Sequence, residues 1–410
     1  KLNIHFQIKN TFSILPFFLC ILCFSLLAPS LAQSIKGEEK DLNTETNLLQ
    51  EVLEHLRIEY IDDVEEKKFI QGAISGIISD LDSYSQFLDR NEYAELKIST
   101  SGEYAGVGLE IDLKDDIFKV VAVMQGAPAY KAGIRLGDII ISINSIEIIT
   151  LDTSEVIKLL RGKSGTKILI TIIRPGETEP INFNLIRRNV KIKTVQGALL
   201  VQDYAYIRIS LFNESTLTST RSTLEKLKIK NNGPLRGLLL DLRDNPGGLL
   251  QGAIDLSNIF LDSGLIVEVK GRSESANSIY NATSGDIIDG ANILVLVNGG
   301  SASAAEIFAA AIQDNKRGLI VGTQTFGKGS AQTVIPLSDG SAIKITTSRY
   351  FTPLGQAIQD QGIIPDIFIF KNYQENLSHS IRQNEDDFGV EIMQSDSQLH
   401  EALNILRHKK

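Results

Sequence analysis

The chain has 410 residues, 43% of them hydrophobic, and a formal net charge of −9. That length buries large cores and predicts two or three domains. The acidic balance, with no long basic run, argues against a nucleic-acid partner, which needs clustered Lys and Arg against phosphate.

The first residues have the pattern of an export signal. Lys1 and Lys9 make a positive start, Ile14–Ala28 is an apolar run, and "PSLAQ" offers small residues at Ser30 and Ala32 before Gln33. The run is short for a membrane span, so residues 1–32 are expected to be removed. Membrane contact is expected only through this segment, if it stays. Both cysteines, Cys20 and Cys23, fall inside it. The mature chain would then hold no thiolate nucleophile, no thiolate metal site and no disulfide. An exported, disulfide-free chain suits a bacterial periplasm or cell envelope. The histidines are His5, His55, His379, His400 and His408, so none lies in the central body. That disfavours a Ser-His-Asp triad there, and no HExxH zinc motif exists. Any base in that body is expected to be something other than imidazole.

After a polar linker, Ser34–Asn43, "LLQEVLEHLRIEY" and "EEKKFIQGAISGIISDLD" place Leu48, Val52, Leu56 and then Ile70, Ile74, Ile77 at helical spacing. Residues 33–100 are expected to be a helical region whose helices pack together or against a second subunit. From residue 101 the texture changes to short strands with glycine turns. "YAGVGLEI" (Tyr104–Ile111) enters a strand, and "IFKVVAV" and "GAPAYKAGIRLGDIIISINSIEI" follow. "TSEVIKLLRG" reads as a helix capped by Thr153, and "GTKILITIIR" and "EPINFNLIRR" close residues 101–188 as strands. The glycines of the GVGL loop by themselves only permit a turn. Taken with the GDIIISIN run and "LLRGKSGT", the segment resembles a PDZ domain of the bacterial protease type. The resemblance implies that backbone N–H groups of Gly106, Val107, Gly108 and Leu109 hold the C-terminal carboxylate of a partner added as a β-strand.

Residues 189–370 read as α/β. "GLLLDLR", "ANILVLVNGG" and "RGLIVG" are buried strands, each followed by a glycine-containing turn, and "AQTVIPL" and "AIKITTSRYF" form a hairpin around Asp339-Gly340. Open α/β folds place ligand sites at such strand ends. The turns are DNPGG, NGGSAS and TFGKGS. Serines at a helix start serve as caps as readily as nucleophiles. Lys328, between Gly327 and Gly329, is either a surface turn residue or, if burial lowers its pKa, a base for serine. The N–H groups of Ala304 and of Gly247 or Gly248 are candidates for an oxyanion site, and Gln332 for a partner of the amine. Residues 371–410 are polar until "DSQLHEALNILRHKK", an amphipathic helix suited to docking or dimerisation.

"LDLRDNPGGLL", "NGGSASAAEIFAAAIQDNKRGLIVG" and "TQTFGKGSAQTVIPL" together resemble the successive signatures of the carboxyl-terminal processing, or tail-specific, serine peptidases. The likeness extends to "DLDSYSQFLD" upstream and "TTSRYFTPLGQAIQDQGIIPDI" downstream. It implies Ser303 as nucleophile, with Ser301 serving the turn, Lys328 as general base, and Gln332 as its orienting partner. The backbone N–H groups of Gly248 and Ala304 would make the oxyanion hole. It also implies an α/β fold class: a crotonase/ClpP-like peptidase core with an inserted PDZ domain and helical N- and C-terminal segments. No metal and no cofactor are expected. The expected partners are protein substrates with exposed apolar C-termini, with room for an adaptor or activator, and a homo-oligomer. Ala305 and Ser83 depart from the family's pattern without touching a catalytic group. Arg161 of LLRG is either an exposed arginine or a link between the PDZ domain and the active site. Two rivals stay open: a PDZ scaffold with a catalytically silent body, and an esterase-like hydrolase.

Overall fold

The computed structural model describes residues 46–63, 65–114, 117–283, 285–370 and 396–408. The export signal, the polar linker and the tail from 371 to 395 lie outside these residues. The chain divides into a unit ending at Leu81 and a unit beginning at Asp82. In the first, helix α1 covers residues 46–59 and α2 covers Glu66–Ser79. Ile78 is the buried residue of α2, whereas Leu48, Val52, Ile70 and Ile77 are exposed.

In the second unit, β1 (Gln86–Leu88) leads to α3 (Arg90–Ser101). Asp89 caps α3 reciprocally with Glu92: its Oδ1 accepts the N–H of Glu92, and Glu92 Oε2 accepts the N–H of Asp89. The chain then enters the PDZ-like layer through β2 (Glu103–Gly106). There follow β3 (Leu109–Lys114), β4 (Ile117–Val123), the short α4 (Pro128–Ala132), β5 (Ile139–Ile143), β6 (Ile146–Glu147), α5 (Thr153–Leu160), β7 (Lys167–Ile173) and β8 (Ile181–Ile186). The chain leaves through β9 (Arg188–Lys191), which pairs antiparallel with β2 and so joins entry to exit. Strands β3-β4-β5-β7-β8 form one antiparallel sheet with β6 beside β5. Every second residue of β7, namely Ile168, Ile170 and Ile172, points into the local core. Helix α5 is capped by Asp152 and Glu155, one residue before the expected Thr153, which is the first helical residue.

The remainder is a mostly parallel sheet with helices on both faces, and a second, antiparallel sheet. Its elements are β10 (Val195–Val201), β11 (Tyr204–Ile209), α6 (Thr216–Asn231), β12 (Gly237–Asp241), α7 (Leu250–Asn258), β13 (Leu265–Gly271), β14 (Ser278–Asn281), β15 (Asn292–Val297), α8 (Ala304–Asp314), β16 (Gly318–Gly322), β17 (Ser330–Pro336), β18 (Ala342–Phe351), β19 (Ile367–Phe368) and α9 (Ser397–His408). Sheet order is β10-β11-β12-β15-β16-β19, parallel from β11 onward. Alternation along the strands feeds two cores. Leu238, Leu240, Ile293 and Val295 share one with helices α6, α7 and α8. Leu239, Leu294 and Leu296 share the other with Leu399, Ala402 and Leu406 of α9. A second sheet, β1-β18-β13-β14 with β17 on β18, lies against α8 through β13.

Candidate active site

Three turns meet at the carboxyl ends of β12, β15 and β16. After β12 the chain makes the DNPGG turn, with Asp244, Gly247 and Gly248 at φ +58°, +104° and +125°. Asn245 organises it: its Oδ1 accepts the N–H of Gly247 at 2.8 Å, and its Nδ2 donates to the carbonyl of Ile209 at 2.8 Å. A Cβ on Gly248 would lie 2.0 Å from the carbonyl oxygen of Phe212, so only glycine fits.

The turn after β15 is stitched to the first. Ser301 is fully buried; its hydroxyl donates to the carbonyl of Leu242 at 2.7 Å and accepts the N–H of Asn298 at 3.0 Å. The N–H of Ala302 donates to the carbonyl of Asn245 at 2.9 Å. Ser301 thus serves the turn. Ser303 sits at the N-cap of α8 with φ 55° and ψ −113°, a strained conformation for a residue with a side chain. The strain holds it at the strand-to-helix corner, beside the positive helix end. A Cβ on Gly247 would lie 2.8 Å from Ser303 Cβ and 3.0 Å from the Ala304 nitrogen, so the glycine turn runs against the serine. Among the described residues, the N–H groups of Gly248 and Ala304 have no protein acceptor.

The third turn is fastened by a residue that the reading of the sequence missed. Glu306, in the first turn of α8, is fully buried and accepts four hydrogen bonds. Its Oε1 accepts from Thr325 Oγ1 and from the N–H of Gly327, both at 2.6 Å. Its Oε2 accepts from the N–H of Ser303 at 2.7 Å and of Lys328 at 2.9 Å. The signal was present in the S-x-x-E spacing of a capping box, Ser303 to Glu306. What spacing does not reveal is that the same carboxylate reaches the lysine turn.

Lys328 is half-buried, and its ammonium stands 4.8 Å from the centre of the Tyr84 ring. Burial lowers its pKa, and Lys344 lowers it further by repulsion; Asp82 and Glu306 oppose both. Among the described residues no hydrogen bond joins the side chains of Ser303 and Lys328. Gln332 lies in the same neighbourhood but donates to Ser330 Oγ at 3.0 Å and Thr346 Oγ1 at 3.2 Å, not to Lys328. Tyr84 was also missed. Its segment is shaped by Asp82 Oδ1, which accepts the N–H groups of Tyr84 and Ser85.

The Gly106–Leu109 loop lies apart from this cluster in sequence and opens a cleft of about 400 Å³. Its walls include Val107, Leu109, Ile111, Ile157 and Leu160. Gly108 has φ +79°, and a Cβ there would meet Ala127 Cβ at 2.2 Å. The loop carbonyls are occupied: Val107 accepts from Ala129 at 2.9 Å and Gly108 from Met124 at 3.0 Å. Arg161, at the end of α5, pairs with Glu95 of α3 and stacks 5.1 Å from the Tyr104 ring.

Residues 203–369 match the model of peptidase family S41, and residues 119–174 match a PDZ domain. A carboxy-terminal-processing protease of Bartonella bacilliformis is 38% identical over 360 residues, covering 85% of this chain and 82% of that protein. The carboxy-terminal processing protease CtpA of Bacillus subtilis is 31% identical, covering 86% and 77%. Among solved structures, a photosystem II D1 C-terminal processing protease shares 29% identity over 84% of this chain and 90% of that one, with a TM-score of 0.47.

Proposed function

The chain belongs to the carboxy-terminal-processing proteases of peptidase family S41, serine peptidases, here with a PDZ domain, and on that premise we propose that Ser303 and Lys328 form its catalytic dyad. Lys328 Nζ takes the proton of the Ser303 hydroxyl as Oγ attacks the scissile carbonyl carbon. The N–H groups of Gly248 and Ala304 hold the oxyanion. Collapse breaks the C–N bond, and Lys328 returns the proton to the leaving amine. Water then attacks the acyl ester, giving a proton to Lys328, which passes it to Ser303 Oγ as the ester C–O bond breaks and the acid product leaves. Gln332 orients the lysine in this scheme.

One observation carries the reading: a single buried carboxylate oxygen, Glu306 Oε2, accepts the N–H groups of both Ser303 and Lys328. The nucleophile and the base are therefore fixed to a common anchor. The lowered pKa of Lys328 supports its part as base. Lys328 leaves the Tyr84 ring for Ser303 Oγ when substrate binds, as catalytic hydrogen bonds tighten in the Michaelis complex.

Substrates in this reading are exported proteins with apolar, unstructured C-termini, held by Gly106, Val107, Gly108 and Leu109 and cut upstream. Residues 1–32 act as the export signal, 101–188 as the PDZ domain and 189–370 as a crotonase/ClpP-like core. The test compares the chain from Gln33 onward with its Ser303→Ala variant on an unfolded reporter ending in Ala-Ala, with cut positions mapped by mass spectrometry. Cleavage by the parent alone is expected. Equal cleavage by both proteins overturns Ser303 as nucleophile, and reporter binding without cleavage by the parent points to a protease that awaits an activator.

A further inference from the structure

Gln332 holds its amide in one sense, and the reason lies on the far side of the neighbouring strand. Its Nε2 donates to Ser330 Oγ at 3.0 Å and to Thr346 Oγ1 at 3.2 Å. Among the described residues its Oε1 accepts no hydrogen bond, so the carbonyl end is the one left for the lysine. An amide has a donor end and an acceptor end of nearly the same shape, and only its neighbours decide which points where.

A carboxylate stands behind those neighbours. Thr346 of β18 is the direct cross-strand partner of Gln332 on β17. On the other side of β18 lies β1, with Gln86 opposite Lys344, and the turn before β1 reaches Thr346. The N–H of Thr346 donates to Ser85 Oγ at 3.1 Å, and Ser85 Oγ donates to Asp82 Oδ2 at 3.1 Å. The Thr346 hydroxyl also donates to Asp82. A hydroxyl has a single hydrogen, so Thr346 Oγ1 offers Gln332 only lone pairs, and the amide must turn its NH₂ group to it. Burial alone would raise the pKa of Asp82, but the N–H groups of Tyr84 and Ser85 and the hydroxyls of Thr346 and Ser85 overcome it and hold the carboxyl below its usual value. At neutral pH it therefore only accepts.

Turn formation accounts for part of this arrangement. Asp82 Oδ1 accepts the N–H groups of Tyr84 at 2.7 Å and Ser85 at 2.8 Å, as an aspartate at a turn ordinarily does. That leaves Thr346, which arrives from a distant strand, unexplained. Nor does Asp82 touch Lys328 as a counter-ion. Among the described residues no ion pair joins the two, although the field of the carboxylate reaches the amine.

We propose that Asp82 is a positioning residue for the reaction, setting through Thr346 the sense in which the Gln332 amide meets Lys328. The proposal rests on the reading of Lys328 as base and Gln332 as its partner. With Oε1 toward the amine, Gln332 accepts an N–H of the lysine and leaves the Nζ lone pair for the Ser303 proton. Reversed, its NH₂ group would donate to that lone pair and repel the ammonium form. Asp82→Asn reverses the relay. The asparagine Oδ1 still accepts the two N–H groups of the turn, while its Nδ2 donates to Thr346 Oγ1. The Thr346 hydrogen then turns to Gln332, and the amide flips.

The test measures kcat and KM for reporter cleavage by the full chain, on the alkaline plateau of the pH profile. The charges acting on Lys328 are those of Lys344, Asp82 and Glu306, beside the Tyr84 ring. By charge alone Asp82→Asn lowers the Lys328 pKa and frees the base, so a fall in plateau kcat is not a charge effect. The expected fall is about tenfold or more, with KM within about threefold. Gln332→Glu alone should also lose kcat, because its oxygens face the Thr346 lone pairs. In the Asp82→Asn chain the same glutamate accepts the freed Thr346 hydrogen and the lysine alike, so the double variant should exceed Asp82→Asn by about fivefold or more. A double variant no better than Asp82→Asn reduces Asp82 to a turn residue and overturns the proposal. Unchanged kcat in Asp82→Asn overturns it too, while the base assignment stands. Turnover kept by Lys328→Met overturns both. If Asp82→Asn fails to fold, Thr346→Val and Thr346→Ser decide. Loss of kcat in folded Thr346→Val with retention in Thr346→Ser supports the relay, and equal kcat for the two overturns it.

Discussion

The N–H of Lys328 donates to Glu306 Oε2 at 2.9 Å, so the proposed base is positioned by a carboxylate on the helix that begins at Ser303, the proposed nucleophile. All four donors to Glu306 point inward, and a glutamine amide would set an NH₂ group against two of them. Glu306→Gln is therefore expected to lower kcat by about a hundredfold or more with KM within about threefold, because misplaced catalytic groups cost rate more than binding. The fold should weaken by about 1–3 kcal/mol, the scale of a buried donor left unpaired. Steady-state kinetics with thermal melts check both, and unchanged kcat in the variant sinks the anchoring role.

Lys328 accepts a proton only when neutral, so kcat/KM should rise with pH through its pKa. Burial and then Lys344 depress that pKa, and removing Lys344 lifts one of the two depressing effects. Lys344→Met should move the acid limb to higher pH. Tyr84→Leu should move it the other way, since the ring favours the ammonium form, while Tyr84→Phe keeps the ring and the limb. The check is a pH profile of reporter cleavage. Shifts of the same sign for Lys344→Met and Tyr84→Leu would remove Lys328 as the titrating base.

Gly247 has φ +104° and no room for a Cβ, which would meet Ser303 Cβ at 2.8 Å and the Ala302 oxygen at 2.8 Å. Both contacts are with Ser303's own turn. Gly247→Ala should reduce kcat by about a hundredfold or more, by moving the serine or the oxyanion donors. Gly233→Ala, where a Cβ meets nothing within 4 Å, is the matched control and should leave turnover unchanged. Equal rates for the two variants would show that the turn yields without cost.

The buried strands were legible because continuous apolar runs such as Leu238–Leu240 and Ile293–Val297 bury both faces, and their glycine turns mark where they stop. Helix α6 was not, because "TLTSTRSTLEKLKIKN" is rich in β-branched and polar residues and its apolar stripe is weak; Leu224 and Leu227 are helical through packing. At the site, the three glycine turns were legible from the sequence, and the resemblance rather than spacing singled out Ser303 and Lys328. Contacts closed only by the fold did not announce themselves. Tyr84 lies far upstream of Lys328 in the chain, and Glu306 went unnoticed because Thr325 and Gly327 come against it only in the fold.

Helix α9 is fastened to the strand that feeds the DNPGG turn by a buried charge cluster. Arg243 Nη2 donates to Asp241 Oδ2 at 2.7 Å and to Asp396 Oδ2 at 2.6 Å, while Nη1 reaches Gln398 Oε1 at 3.1 Å. Burial alone would raise the pKa of Asp241, but Arg243 and Arg208 overcome it and hold the carboxyl at about 2. With a folded value below the unfolded one, this group stabilises the protein above about pH 4. The contribution, about 2 kcal/mol, is lost as pH falls from about 4 towards 2. Asp396→Ala leaves Arg243 with one anion instead of two and should cost about 2–4 kcal/mol. It should free α9 before the sheet melts, exposing the face shared by Leu239, Leu294 and Leu296. Limited proteolysis would then cut ahead of residue 397 at temperatures where the parent resists, and an apolar dye would bind. If α9 stays protected in the variant, its apolar contacts through Leu399 and Leu406 hold it without the charge cluster, and Arg243 serves Asp241 alone.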